Sequence, residues 1–333
     1  MRDPQMTCEI GTRELIELDG LGVRLRGTYH RAPQRAAMQD RVGVLFVNSL
    51  SLPRAASGDS AVHWADAIAA FGYPSFRVDL PGLGDSEGHA TTDLLDFINA
   101  GGFTSVAAAV VKQLVQRFSL SGVILFGHCA GSVSALYAGA ASPECRGLIL
   151  LDPYFHLPQA KRPKLREELS DWARRSKLGR LLSNAYDHVR SLALLARGNA
   201  PPPNANAQLL ARWKQVASAG MPALLLKAPG IKAQGAKPRV GEFDYMDYIV
   251  ELAGKKSRVA AEFVEGADHS FANRKGRDEV ERHIEQWLAA NFPLPRFDVS
   301  AGDAQAPRSN DVKLDANKQM AAPVARYCAL EGR

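Results

Sequence analysis

Cysteine is scarce in this chain: Cys8, Cys129, Cys145 and Cys328 are the only four in 333 residues, and none shares Cys-x-x-Cys spacing with another. That argues against a disulfide framework and against a structural zinc site, so no metal is expected. Long apolar runs are also missing. No stretch approaches the roughly 20 residues of a membrane span, and Met1-Arg2-Asp3-Pro4-Gln5-Met6-Thr7-Cys8-Glu9 has no apolar segment fit for a signal peptide. A cytoplasmic protein with no membrane span is the expectation. There is no basic stripe interleaved with aromatics, so nucleic acid is not an expected partner. The first strand is not followed by a dinucleotide-binding glycine fingerprint, so no nicotinamide cofactor is implied. There is no internal repeat.

What is present is an ordinary globular composition, 46% hydrophobic and 23% charged, in a chain long enough for a large core. The formal charge of +6 is mild and fits an anionic substrate, an acidic carrier protein or no special role. Two glycine-joined strands, Arg13–Leu18 and Val23–His30, open the chain. Strands and helices then alternate: strands at Val42–Val47, Ser75–Asp79, Gly122–Phe126 and Gly147–Leu151, with helices at Trp64–Phe71, Phe103–Phe118 and Ala130–Ala141. The alternation stops from Pro153 to about Gly220, where only helical segments (Lys164–Ser176, Leu178–Leu195, Ala207–Ala219) are predicted. It resumes with strand Ala223–Lys227, helix Phe243–Ala253, strand Arg258–Phe263 and helix Arg277–Asn291. Such an order predicts an α/β fold, with a mostly parallel central sheet covered by helices on both faces and a helical insertion over it. From Asp298 the sequence is polar, Ala-rich and unpatterned, as expected of a disordered tail.

The strongest chemical signal is Gly127-His128-Cys129-Ala130-Gly131, between an apolar strand and a small-residue helix. A side chain displayed on a tight strand-to-helix turn needs small neighbours, because the backbone passes close to the adjoining strand and helix. The turn leaves Cys129 at a helix N-terminus, where dipole and free N–H groups favour the reactive thiolate. The backbone N–H of Ala130 then becomes one oxyanion donor. His269, in Glu265-Gly266-Ala267-Asp268-His269-Ser270-Phe271 after the last predicted strand, is the candidate base. His128 is read as packing or tuning the turn.

Together with Asp79-Leu80-Pro81-Gly82-Leu83-Gly84-Asp85-Ser86 after the fourth strand, these segments resemble the motifs of the α/β-hydrolase superfamily, in the same order, over residues 13–292. Cysteine stands where most relatives carry serine. More narrowly, Gly84-Asp85-Ser86-Glu87-Gly88 and Gly127–Gly131 are similar to hydrolase-like proteins of bacterial exosortase and exopolysaccharide clusters. The resemblance implies an α/β-hydrolase domain over residues 1–292, with residues 153–220 as a helical lid and residues 298–333 as a tail. It implies a second oxyanion donor after the third strand, where Ser49 and Leu50 replace the family's His-Gly. It implies a triad acid after strand Ala223–Lys227, yet the loop beyond it has no carboxylate before Glu242 and Asp244. Asp152, after the preceding strand, is the remaining alternative; the order of preference is Asp244, Glu242, Asp152.

The expected activity is acyl transfer by a Cys–His(–acid) mechanism: ester or thioester hydrolysis, or transfer to another acceptor. A small or carrier-bound acyl substrate is expected, with basic clusters Lys161–Arg166 and Arg174–Lys177 read either as solvated helix faces or as contacts to coenzyme A or an acyl carrier protein. The alternative is a non-catalytic binding or assembly component of an exopolysaccharide pathway.

Overall fold

Along the three central strands, every second side chain is a large aliphatic or aromatic group pointing to one face, and its neighbours are equally apolar on the other. Val123 and Leu125 enter one buried cluster while Ile124 and Phe126 enter a second, and Leu148/Leu150 and Ile149/Leu151 divide the same way. A strand apolar on both faces must be covered on both faces, and the computed structural model shows this. It describes residues 13–33, 41–157, 201, 204–229 and 245–294.

The strands are β1 (Arg13–Asp19), β2 (Arg24–His30), β3 (Val42–Val47), β4 (Ser75–Val78), β5 (Gly122–His128), β6 (Cys145–Leu151), β7 (Ala223–Lys227) and β8 (Val259–Phe263). They form one sheet in the order β1-β2-β4-β3-β5-β6-β7-β8. β1–β2 and β2–β4 pair antiparallel, and all other neighbours are parallel. The described helices are α1 (Ser60–Phe71), α2 (Leu94–Asn99), α3 (Thr104–Arg117), α4 (Ala130–Ala141), α5 (Ala207–Ser218), α6 (Tyr245–Ala253) and α7 (Arg274–Asn291). Buried residues of α3, α4, α5 and α6 share the first cluster; those of α1 and α7 share the second.

Most expected elements appear within a few residues of their predicted bounds, as helix and strand ends do. Short helix α2 was not predicted, and α7 begins at Arg274, where the Asn273 side chain caps it by accepting from Gly276 N–H at 2.8 Å. Helix α5 was expected as the end of the insertion. Its stripe Leu209, Leu210, Trp213, Val216 and Ala217 is buried, and Trp213 Nε1–H donates to the Ile249 carbonyl of α6 at 2.7 Å. It is therefore part of the helical layer on the sheet. The predicted helices Lys164–Ser176 and Leu178–Leu195, the basic clusters and the tail lie outside the described residues. No described helix is long and apolar enough to cross a membrane.

The parallel strands place their C-terminal ends along one edge of the sheet. Asn48 follows β3, Cys129 follows β5, Asp152 follows β6, Lys227 ends β7 and His269 lies beyond β8. In open parallel sheets this edge is where ligands bind.

Candidate active site

Cys129 sits between β5 and α4 with φ 52° and ψ −117°, a backbone conformation that side-chain-bearing residues seldom adopt. Its surroundings enforce it. Cys129 N–H donates to the Leu151 carbonyl at 2.9 Å, which ties the turn to the neighbouring strand. Ser132 Oγ lies 2.8 Å from the Gly127 carbonyl and 3.1 Å from that of Leu151, closing the turn from inside. A Cβ at position 127 would lie 2.2 Å from the Gly131 carbonyl oxygen, and one at 131 would lie 2.8 Å from the Asn48 carbonyl oxygen. Both glycines are thus required by close backbone approach. The Cys129 side chain is half-buried, whereas Cys145 is fully buried and burial pushes its thiol up to about 12.

His269 is presented by a tight turn after β8. Asp268 accepts from the N–H and Oγ–H of Ser270, at 3.0 and 2.6 Å, and Phe271 then turns into the core with φ 50°. His128 Nε2–H donates to the His269 carbonyl at 2.6 Å. Burial holds the His128 ring neutral, pushing its pKa down. The residue beside the cysteine therefore fastens the backbone of the distant histidine, a more specific role than the packing or tuning expected of it.

The imidazole of His269 is bonded on one side, through Nδ1, to the Asp152 carboxylate. Cys129 lines the same cavity wall as the ring. The Asp152 bond first, and the nearby Cys129 next, raise the His269 pKa to about 10 against a smaller lowering by desolvation. Asp152 itself is held by its backbone: with φ 45°, its N–H donates to the Leu226 carbonyl at 2.7 Å. Of the three sequence candidates for the acid, Asp152 is the one the structure brings to His269; Asp244 and Glu242 lie outside the described residues.

The two expected oxyanion segments meet at the same place. Ala130 is the first residue of α4 and Leu50, at φ 49°, lies in the turn after β3; both line a cavity with Cys129, while Ser49, before Leu50, is buried. The turn is held by a residue the sequence reading passed over. Asn48 Nδ2 donates to Asp79 at 2.8 Å and to the Leu52 carbonyl at 2.9 Å, and its Oδ1 accepts from Leu80 N–H at 2.8 Å. Asp79, fully buried, also accepts from Arg54 N–H at 2.7 Å and from its guanidinium at 2.5 Å. A Cβ at position 84 would lie 2.3 Å from that carboxylate, so the Asp-x-x-Gly-x-Gly-x-Ser turn exists to wrap Asp79. Its service to the site is indirect: it clamps the loop that carries Ser49 and Leu50.

The cavity above Cys129 is about 450 Å³ and is lined in part by Leu50, Leu95, Tyr154, His156, Lys227 and Tyr245. Lys227, His156 and Leu95 had not been read as site residues. Their sequence signal was slight: a lysine ending an otherwise apolar strand, and an aromatic cluster after Asp152. Among the described residues there is no cluster of three or more His, Cys, Asp or Glu fit to hold a metal ion.

Comparison with known proteins supports the architecture. A family model described as alpha/beta hydrolase fold matches residues 52–192. The esterase Pf2001 of Pyrococcus furiosus superposes with a TM-score of 0.54 at 12% identity, over 85% of this chain and 93% of that one. The α/β hydrolase GrgF of Penicillium sp. sh18 gives 0.55 at 16% identity, over 85% and 100%. DcsB, in complex with its substrate analogue, gives 0.53 at 16% identity, over 84% and 99%. No curated protein matches the chain. Strand order, the sharp turn after β5 and these likenesses agree: the chain has the α/β-hydrolase fold.

Proposed function

We propose that the protein is an acyl-transfer enzyme acting on an ester or thioester through an acyl-cysteine intermediate, with Cys129 as nucleophile, His269 as acid and base, and Asp152 orienting the ring. The observation that carries this is the meeting of the bonded Asp152–His269 pair with a strained, half-buried Cys129 on one cavity wall. A cysteine retained only for packing has no need of an imidazole beside it or of a carboxylate behind that imidazole.

The steps follow from the geometry. A ring held protonated by Asp152 stabilises negative charge on the sulfur. The thiolate attacks the carbonyl carbon, and the carbonyl π pair moves onto oxygen. The backbone N–H of Ala130, with one from Ser49 or Leu50, receives that oxyanion. Its collapse reforms the carbonyl and breaks the bond to the leaving alcohol or thiol, which takes the proton from His269. The neutral ring then deprotonates water, or another acceptor, which attacks the acyl-cysteine. Collapse of the second adduct releases the acyl product and returns the thiolate and the imidazolium. Asp152 keeps its bond to Nδ1 throughout and fixes the ring's tautomer.

Turnover of a panel of short-chain p-nitrophenyl esters and N-acetylcysteamine thioesters tests the reading. Hydrolysis above background is expected from the wild type, with loss of at least about 10³-fold in Cys129→Ala. Equal rates in the two proteins would contradict it.

A further inference from the structure

The cavity has a polar side that the acyl-transfer steps leave unused. Lys227 ends β7 after four buried residues, Ala223–Leu226, and its backbone is fixed on both sides. Leu226, just before it, pairs with Leu151 of β6, and the Lys227 carbonyl accepts from Val264 N–H at 2.9 Å. Its side chain lines the cavity with Cys129, His156 and Tyr154. Among the described residues lining the cavity the carboxylate is Asp152, which is already bonded to His269. A lysine placed beside the reacting groups, with the adjacent acid committed elsewhere, is suited to an anion brought by the ligand.

We propose that Lys227, with His156 as a neutral hydrogen-bonding partner, recognises a carboxylate carried by the acyl substrate, so that the preferred substrates are monoanionic acyl esters or thioesters. This rests on the acyl-transfer reading for its word "acyl", and on the cavity alone for its word "monoanionic". The charge count selects a single negative charge. Burial, and then the field of Lys227, push His156 down and so keep its ring neutral. Among the described lining residues, with the His269 imidazolium balanced by Asp152, the cavity therefore offers one uncompensated positive charge, from Lys227. Leu50 and Leu95, in the same lining, provide an apolar surface for a short methylene spacer.

Binding to Cys129→Ala protein separates this from catalysis, because no turnover is read. Titration calorimetry is run with monomethyl glutarate, a monoanion, and with dimethyl glutarate, its neutral counterpart. The monoanion is expected to bind at least about tenfold more tightly. Adding Lys227→Met should abolish the preference, and adding Lys227→Arg should keep part of it. Equal affinities, no binding of either ester, or a preference that survives Lys227→Met would each overturn the proposal. Inorganic phosphate is the competitor that checks the anion: displacement as strong as that by monomethyl glutarate would overturn the carboxylate assignment. Failure of the acyl-transfer reading shows separately, as absent turnover in the wild type.

Discussion

Cys129 combines two properties that seldom coincide, a positive φ of 52° and a side chain open to a cavity. The cost of that backbone is met by the bonds around it, and the residues behind its chemistry can be tested singly. Asp152 is the largest cause of the raised His269 pKa, about 10. In the proposed mechanism the protonated ring delivers the leaving group's proton, so kcat/KM should fall as pH rises through about 10. Asp152→Asn removes the main raising interaction. It should lower activity by about 10²-fold or more and move the alkaline limb down toward the ordinary histidine range. A pH–rate profile of both proteins checks this, and an unmoved limb would take Asp152 out of the account. A cysteine flanked by glycines, with a histidine late in the chain, was legible because backbone crowding restricts residue type there. The carboxylate that bonds His269 was less so: Asp152 stood last of three candidates because the family's usual order along the chain favours Asp244 and Glu242, which lie outside the described residues. Lys227 was hidden: nothing local in Ala223–Lys227 tells that its last side chain enters a cavity with a cysteine 98 positions earlier in sequence.

At the scale of elements, the loop after β3 and the turn after β4 behave as one unit around Asp79. The carboxylate is fully buried, and its partner Arg54 is only 17% exposed. Replacing Asp79 by Ala leaves a nearly buried guanidinium with one carboxylate, the exposed Asp85, and strips Asn48 of an acceptor. A loss of about 3–5 kcal/mol is expected from breaking such a pair, read by urea denaturation. Gly131→Ala acts on the same loop from the other side. Its Cβ, 2.8 Å from the Asn48 carbonyl, must displace the segment that carries Ser49 and Leu50. Overpacking of this kind costs about 1–3 kcal/mol, and loss of an oxyanion donor lowers kcat by about 10²–10³-fold. A Gly131→Ala protein that folds and turns over normally would show that this loop supplies no donor. Short continuous apolar runs made the buried strands readable, and the 3.6-residue stripe made α5 readable as a helix. Its place on the sheet was not readable, since an amphipathic stripe is the same whether it packs on a lid or on a core.

For the whole molecule, two histidines pull stability in opposite directions with pH. His30 is 1% exposed, bonded to Asp66 and Arg77, and burial pushes its pKa down to about 4. Its folded value lies below the unfolded one, near 6.5, so the unfolded chain binds the extra proton between the two. Stability from His30 is present above 6.5 and is lost as pH falls toward 4. His269 has the reverse sign: its raised value makes a contribution present below 6.5 that fades as pH rises through about 10. That second contribution is small, because its side chain is 61% exposed and solvent screens the pair. Unfolding free energies measured from pH 4 to 10 should therefore fall steeply on the acid side and gently on the alkaline side. His30→Gln should flatten the acid slope.

The central claim is that Cys129 becomes acylated, and intact-mass spectrometry of protein quenched in acid during turnover tests it most directly. The account predicts a mass increase equal to the acyl group, mapped by peptide sequencing to Cys129, and absent from Cys129→Ala. Steady turnover with no adduct in the wild type, or an adduct that persists in Cys129→Ala, would contradict it.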